Sequence, residues 1–177
     1  MSIAMSLLNG VFKVAHTVSP ARTAYAHCDI PCGIYDPHGA QIAALTVVRM
    51  HQLIEAQTKP VPQDSTPEER DAYIGTLSRY VAVKEQHAEL CKHELRVLWG
   101  DYFRPEHVEQ HKNLHDLFWN AMKQASKTRQ TIDMAAAQDL LSTTQQIAEI
   151  FWQTKGANTV RQASRQAASG ELVYPTA

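Results

Sequence analysis

Residues 66–100 read TPEERDAYIGTLSRYVAVKEQHAELCKHELRVLWG, and this stretch decides the fold. Thr66, then Pro67, then Glu69 three residues past the threonine, is a helix start written in side chains. A hydroxyl accepts a backbone N–H, a proline sits where its missing N–H costs nothing, and a carboxylate reaches back. From there Tyr73, Leu77, Val81, Ala88, Cys91, Leu95 and Leu98 form one apolar seam. Their helical spacing predicts an amphipathic helix running to about Trp99, where Gly100-Asp101 breaks it.

The same pattern recurs on both sides. Upstream, a helix is expected from about Pro37 to Gln57, started by Asp36-Pro37. Ala43, Val47, Met50 and Ile54 make its stripe, widened by Leu45 and Val48, and a Pro-rich loop from Lys59 to Ser65 follows it. Downstream, a third helix is expected from Pro105 to about Lys127, burying Val108, Leu114, Leu117, Phe118, Met122 and Ala125. A fourth runs from about Asp133 to Lys155, with Ala136, Leu140, Ile147, Ile150 and Phe151 facing inward. No segment alternates convincingly as a strand. Four such helices with short connections predict an all-α fold, an antiparallel four-helix bundle. Residues 156–177, rich in Ala, Ser, Gln and Thr, read as a flexible C-terminal tail.

A chain of 177 residues is long enough for one domain with a hydrophobic core. Its formal net charge of −1 supplies no global basic field for nucleic acid. No apolar run is long enough for a membrane span. Three cysteines, an odd number, do not make a disulfide scaffold. Cys91 falls on the second helix's seam and reads as a small core residue. His107, His111 and His115 have i, i+4, i+8 spacing but lack an acidic or cysteine partner, so they read as a solvated face.

The chemistry concentrates near the N-terminus. Residues 1–26 contain no acidic residue and end Ala24-Tyr25-Ala26, a small-x-small pattern of the kind processing peptidases cut. They read as a removable leader. Residues 27–37 follow as HCDIPCGIYDP, in which Pro31 and Gly33 forbid a regular helix. Cleavage after Ala26 would free the α-amine of His27, whose pKa of about 7.7–8.0 lets a metal displace its proton near neutral pH. The His27 imidazole is a second nitrogen donor, the Cys28 amide lies one chelate ring away, and the thiols of Cys28 and Cys32 close the set. Two nitrogens and two sulfurs in a plane suit Ni(II) or Cu(II) rather than zinc. Thiolates and an anionic amide also stabilise a higher oxidation state. A Cys28–Cys32 disulfide is the competing structural reading.

The segment from His27 to Pro37 resembles the nickel hook of the nickel superoxide dismutases, His-Cys-x-x-Pro-Cys-x-x-Tyr. Lys84-Glu85-Gln86-His87-Ala88-Glu89-Leu90, Val97-Leu98-Trp99-Gly100-Asp101-Tyr102-Phe103-Arg104-Pro105 and Phe151-Trp152-Gln153-Thr154-Lys155 resemble further family segments. The resemblance spans residues 27 to about 155, which form the hook and bundle. It implies a homohexamer of four-helix bundles, each with an N-terminal nickel-binding hook. It implies one nickel ion per subunit, held by His27, Cys28 and Cys32. The reaction it implies converts two superoxide ions and two protons to O2 and H2O2 through a Ni(II)/Ni(III) cycle. Tyr35 takes the position of the tyrosine lining the substrate approach, Tyr102 that of a second tyrosine near the site, and Asp29 that of a residue whose backbone helps form the anion pocket. Some members carry a glutamate where this chain has Ala43, orienting the axial imidazole, and an arginine where it has His87. His87, or a water it holds, is expected to replace that pair.

Two rival readings use the same residues: a nickel or copper carrier or sensor without turnover, and a helical interaction module with a disulfide-closed N-terminal loop. Turnover of superoxide by the cleaved, nickel-loaded protein separates the enzyme from both. Loading needs reduced thiols, which favours the cytoplasm, with export left open by the leader.

Overall fold

The structure, a computed structural model, describes residues 33–176. Residues 1–26, the expected ligands His27, Cys28 and Cys32, and the anion-pocket residue Asp29 lie outside the described residues.

Helix α1 spans His38–Glu55. Asp36 starts it as expected, one position earlier than a standard cap: its carboxylate accepts the His38 N–H at 2.7 Å. Helix α2 spans Pro67–Val97 and opens on the expected reciprocal box. Glu69 N–H donates to the Thr66 hydroxyl at 3.2 Å, and Thr66 N–H donates to the Glu69 carboxylate at 2.9 Å. The chain does not break at Gly100. It widens into one π-helical turn, Leu98–Tyr102, closed by Phe103 N–H on Leu98 O at 3.0 Å.

The third expected helix is two: α3, Pro105–Gln110, and α4, Leu114–Gln130. The reason lies in its own seam. Val108 and Leu114 are six residues apart, which on a continuous helix puts them about 240° apart, on different faces. The break at His111 to Asn113 lets Leu114 be fully buried while Val108 packs against the same core. It also destroys the regular spacing of His107, His111 and His115. Helix α5, Met134–Thr154, is capped by Asp133, whose carboxylate accepts the Ala136 N–H at 3.1 Å.

Helix α1 packs on α2 and α5, and α4 packs on the same two, the four-sided contact pattern of a bundle. Val47, Leu95, Leu114, Leu140, Ile147 and Phe151 fill the interior. Alanines at Ala40, Ala44, Ala88, Ala121, Ala125 and Ala137 line the seams and let the backbones approach closely. Lys84 is buried among them. Its ammonium donates to the carbonyls of Thr128, Arg129 and Thr131 at 2.7, 3.1 and 2.7 Å, closing the C-terminus of α4 with a charge of the favourable sign. Burial pulls its pKa down and Glu85 opposes that.

The expected loose tail is instead a β-hairpin. Strands β1, Thr159–Ala163, and β2, Glu171–Pro175, pair antiparallel with Val160 opposite Tyr174 and Gln162 opposite Leu172. Gly170, at φ +82, turns the chain against Leu45 where a larger residue would be strained. Leu172 and Val173 are buried, so the hairpin has apolar area that holds it to the bundle. Its outer edge is paired by side chains. Gln41 accepts the Val173 N–H at 2.7 Å and donates to Val173 O at 3.1 Å. Gln145 donates to Glu171 O at 2.6 Å, and Arg161 reaches Glu149 at 2.7 Å. A composition rich in polar residues hid an element whose partners lie on α1 and α5.

Candidate active site

The π-helical turn matters because of what it presents. An extra residue in the turn shifts the side chains that follow it. Tyr102, half-buried at its end, lies against Tyr35 from the segment preceding α1, ring centroids 5.5 Å apart and tilted by 54°. The two tyrosines singled out in the sequence are thus brought together from positions 35 and 102.

Around Tyr102 the chain builds an aromatic and cationic shell. Phe151 of α5 lies 4.5 Å from its ring centroid, Phe103 5.1 Å, and His107 stacks on it at 5.7 Å with an interplanar angle of 21°. His107 is itself held, since its Nδ1 accepts the Arg104 N–H at 3.2 Å. The Lys155 ammonium sits over both the Tyr102 and Phe151 rings, at 5.4 and 5.1 Å from their centroids. The Tyr102 hydroxyl is 2.7 Å from Thr154 Oγ1. Arg104 is exposed.

Thr154 and Lys155 were not singled out as site residues by sequence reasoning. They lie in a segment that had signalled only resemblance, and no local spacing places the end of α5 beside the end of α2.

Ala43 is buried in the face of α1 that meets the core. His87 is half-buried on α2, and its Nδ1 lies 2.9 Å from Val83 O. A carbonyl can only accept, so Nδ1 carries the proton and a neutral ring keeps Nε2 as an acceptor. Cys91 is fully buried, 3.7 Å from the Thr144 hydroxyl, and burial pushes its thiol up to about 12. It is a core residue, with a thiol too weakly acidic to serve as a ready ligand. Among the described residues, no group of three or more His, Cys, Asp or Glu side chains could hold a metal ion. No helix among them is long and apolar enough to cross a membrane.

Residues 22–155 match the family of nickel-containing superoxide dismutases, hook included. The chain belongs to that family. It is 39% identical over 139 residues to the superoxide dismutase [Ni] of Streptomyces coelicolor, covering 78% of this chain and 95% of the relative. The superoxide dismutase [Ni] of Streptomyces seoulensis matches with the same identity and coverage. Among solved structures, a Ni-containing superoxide dismutase with ligation corresponding to the oxidised state superposes with a TM-score of 0.62 at 40% identity. The match covers 74% of this chain and all of that one. A native nickel superoxide dismutase gives 0.60 at 37% identity, covering 73% of this chain and 99% of that one. The helical bundle and the nickel requirement follow from this membership, and the chain is an enzyme that dismutates superoxide. The C-terminal hairpin lies beyond the family match, which ends at residue 155.

Proposed function

We propose that the active enzyme begins at His27, and that its freed amine and imidazole, the Cys28 amide and the Cys28 and Cys32 thiolates would hold one nickel ion. The observation that carries this is the order of residues around position 26. Ala24-Tyr25-Ala26 directly precedes a histidine and two cysteines, which together offer nitrogen and sulfur donors only. That set fits a metal preferring planar N/S coordination. Bound there, nickel would supply the exchange of one electron with each superoxide, so that two superoxide ions and two protons become O2 and H2O2.

The chain's own residues do the rest. Tyr35 and Tyr102 flank the approach, and Asp29 takes the position of a residue whose backbone the family resemblance assigns to a small anion pocket. The Lys155 ammonium adds positive charge beside the tyrosine pair, where an anionic substrate is favoured. His87, through Nε2, is suited to accept a hydrogen bond from the His27 imidazole N–H or from a water beside it. A carboxylate would accept in the same sense.

Removal of residues 1–26 needs a processing peptidase, and loading needs reduced thiols, which favours the cytoplasm, with export left open by the leader. Family resemblance supports a homohexamer, which light scattering on the nickel-loaded protein would register as six times the chain mass. The direct test of the processing step is intact mass spectrometry of the isolated protein. The mature chain should start at His27 and carry one nickel per subunit. A nickel protein retaining Met1 through Ala26 would refute the proposal.

A further inference from the structure

The last turn of α5 fixes the direction of a hydrogen bond at the tyrosine pair. A helix ends on carbonyls that have no N–H four residues on. The Lys155 N–H, which a continuing helix would give to Phe151 O, goes instead to Trp152 O at 3.0 Å. Phe151 O is met by the Thr154 hydroxyl at 2.7 Å. A carbonyl only accepts, and a threonine hydroxyl has a single proton. That proton is committed to Phe151. In the other short contact of Thr154 Oγ1, 2.7 Å to the Tyr102 hydroxyl, the tyrosine must therefore be the donor.

We propose that Thr154 is a positioning residue for superoxide dismutation: it accepts the hydrogen bond donated by the Tyr102 O–H, so the phenol oxygen offers only acceptor lone pairs to whatever approaches. This rests on the reading that places the tyrosine pair at the substrate approach. The consequence is a division of labour. Superoxide is an anion and needs donors, which Tyr102 cannot supply, so an O–H for it comes from Tyr35 or water. Hydrogen peroxide carries protons and can donate to Tyr102. The pair thus meets the reactant with one hydroxyl and the product with the other. Lys155, over the Tyr102 ring, helps hold that ring in place.

Thr154→Val removes the acceptor with little change of shape, and Thr154→Ser restores it. In the nickel-free protein, ultraviolet resonance Raman spectra report whether a phenol donates or accepts, and subtraction of a Tyr102→Phe spectrum isolates Tyr102 from the other tyrosines. The donor pattern is expected in the wild type and in Thr154→Ser, and its loss in Thr154→Val. After nickel loading, turnover per nickel should fall about 2- to 10-fold in Thr154→Val, the scale of one hydrogen bond, and return in Thr154→Ser. An acceptor pattern in the wild type, or Tyr102 bands or turnover unchanged in Thr154→Val, would overturn the proposal. Tyr102→Phe turnover separates the two claims: wild-type activity per nickel there would remove Tyr102 from the reaction, while the Raman bands would still report the bond to Thr154.

Discussion

Gln41→Leu should loosen the C-terminal hairpin from the bundle by an amount that can be worked from two contacts. The Gln41 side chain is fully buried, and its amide closes both the N–H and the C=O of Val173, itself 2% exposed. Leucine fills nearly the same volume and makes neither bond. Two ordinary hydrogen bonds contribute about 0.5–1.5 kcal/mol each, but a buried group left without a partner costs about 1–3 kcal/mol. With leucine's extra apolar burial offsetting part of this, the net loss is about 2–4 kcal/mol. It falls on the opening of the hairpin, because the helices keep their own contacts. At 1.4 kcal/mol for each factor of ten, protection of the Val173 amide against hydrogen exchange should drop about 30- to 700-fold. Amides in the middle of α5, such as Leu140, should change far less. Unchanged protection at Val173 would mean that Gln41 does not hold the strand, and would refute the reasoning.

Three further outcomes follow from the same structure. Lys84→Met should lower the urea midpoint by an amount equivalent to about 2–4 kcal/mol, because three carbonyls at the end of α4 lose a charged donor; a midpoint at the wild-type value would contradict that role. His87→Ala should reduce superoxide turnover more than nickel content, and equal activity per nickel would show that the histidine does not support the axial imidazole. In the reduced, nickel-free protein at pH 8, Cys91 should react with an alkylating reagent only on unfolding. Burial holds the Cys91 thiol at about 12, so almost none of it is thiolate at that pH; rapid labelling of Cys91 in the folded protein, read by peptide mass mapping, would refute this.

The helices were legible because their information is local. Thr66, Pro67 and Glu69 satisfy one another within a single turn, and the α2 seam continues at helical spacing through Cys91 and Leu95. The break before α4 was also present in the sequence, since Val108 and Leu114 cannot share one face of an unbroken helix. The hairpin was not legible. Its edge is closed by Gln41, 132 residues before Val173, and a glutamine near the start of a helix gives no sign of a distant strand. The candidate site divides in the same way. Tyr35 and Tyr102 could be named from motifs, whereas Thr154 and Lys155 gain their roles only from the packing of α5 beside the π-helical turn.

The most direct measurement is superoxide decay after pulse radiolysis, comparing nickel-loaded chains that begin at Met1 and at His27. Only the chain with a free His27 amine should bind one nickel per subunit and consume superoxide catalytically. Equal turnover by the uncleaved chain, or none by the cleaved and loaded one, would contradict the assignment.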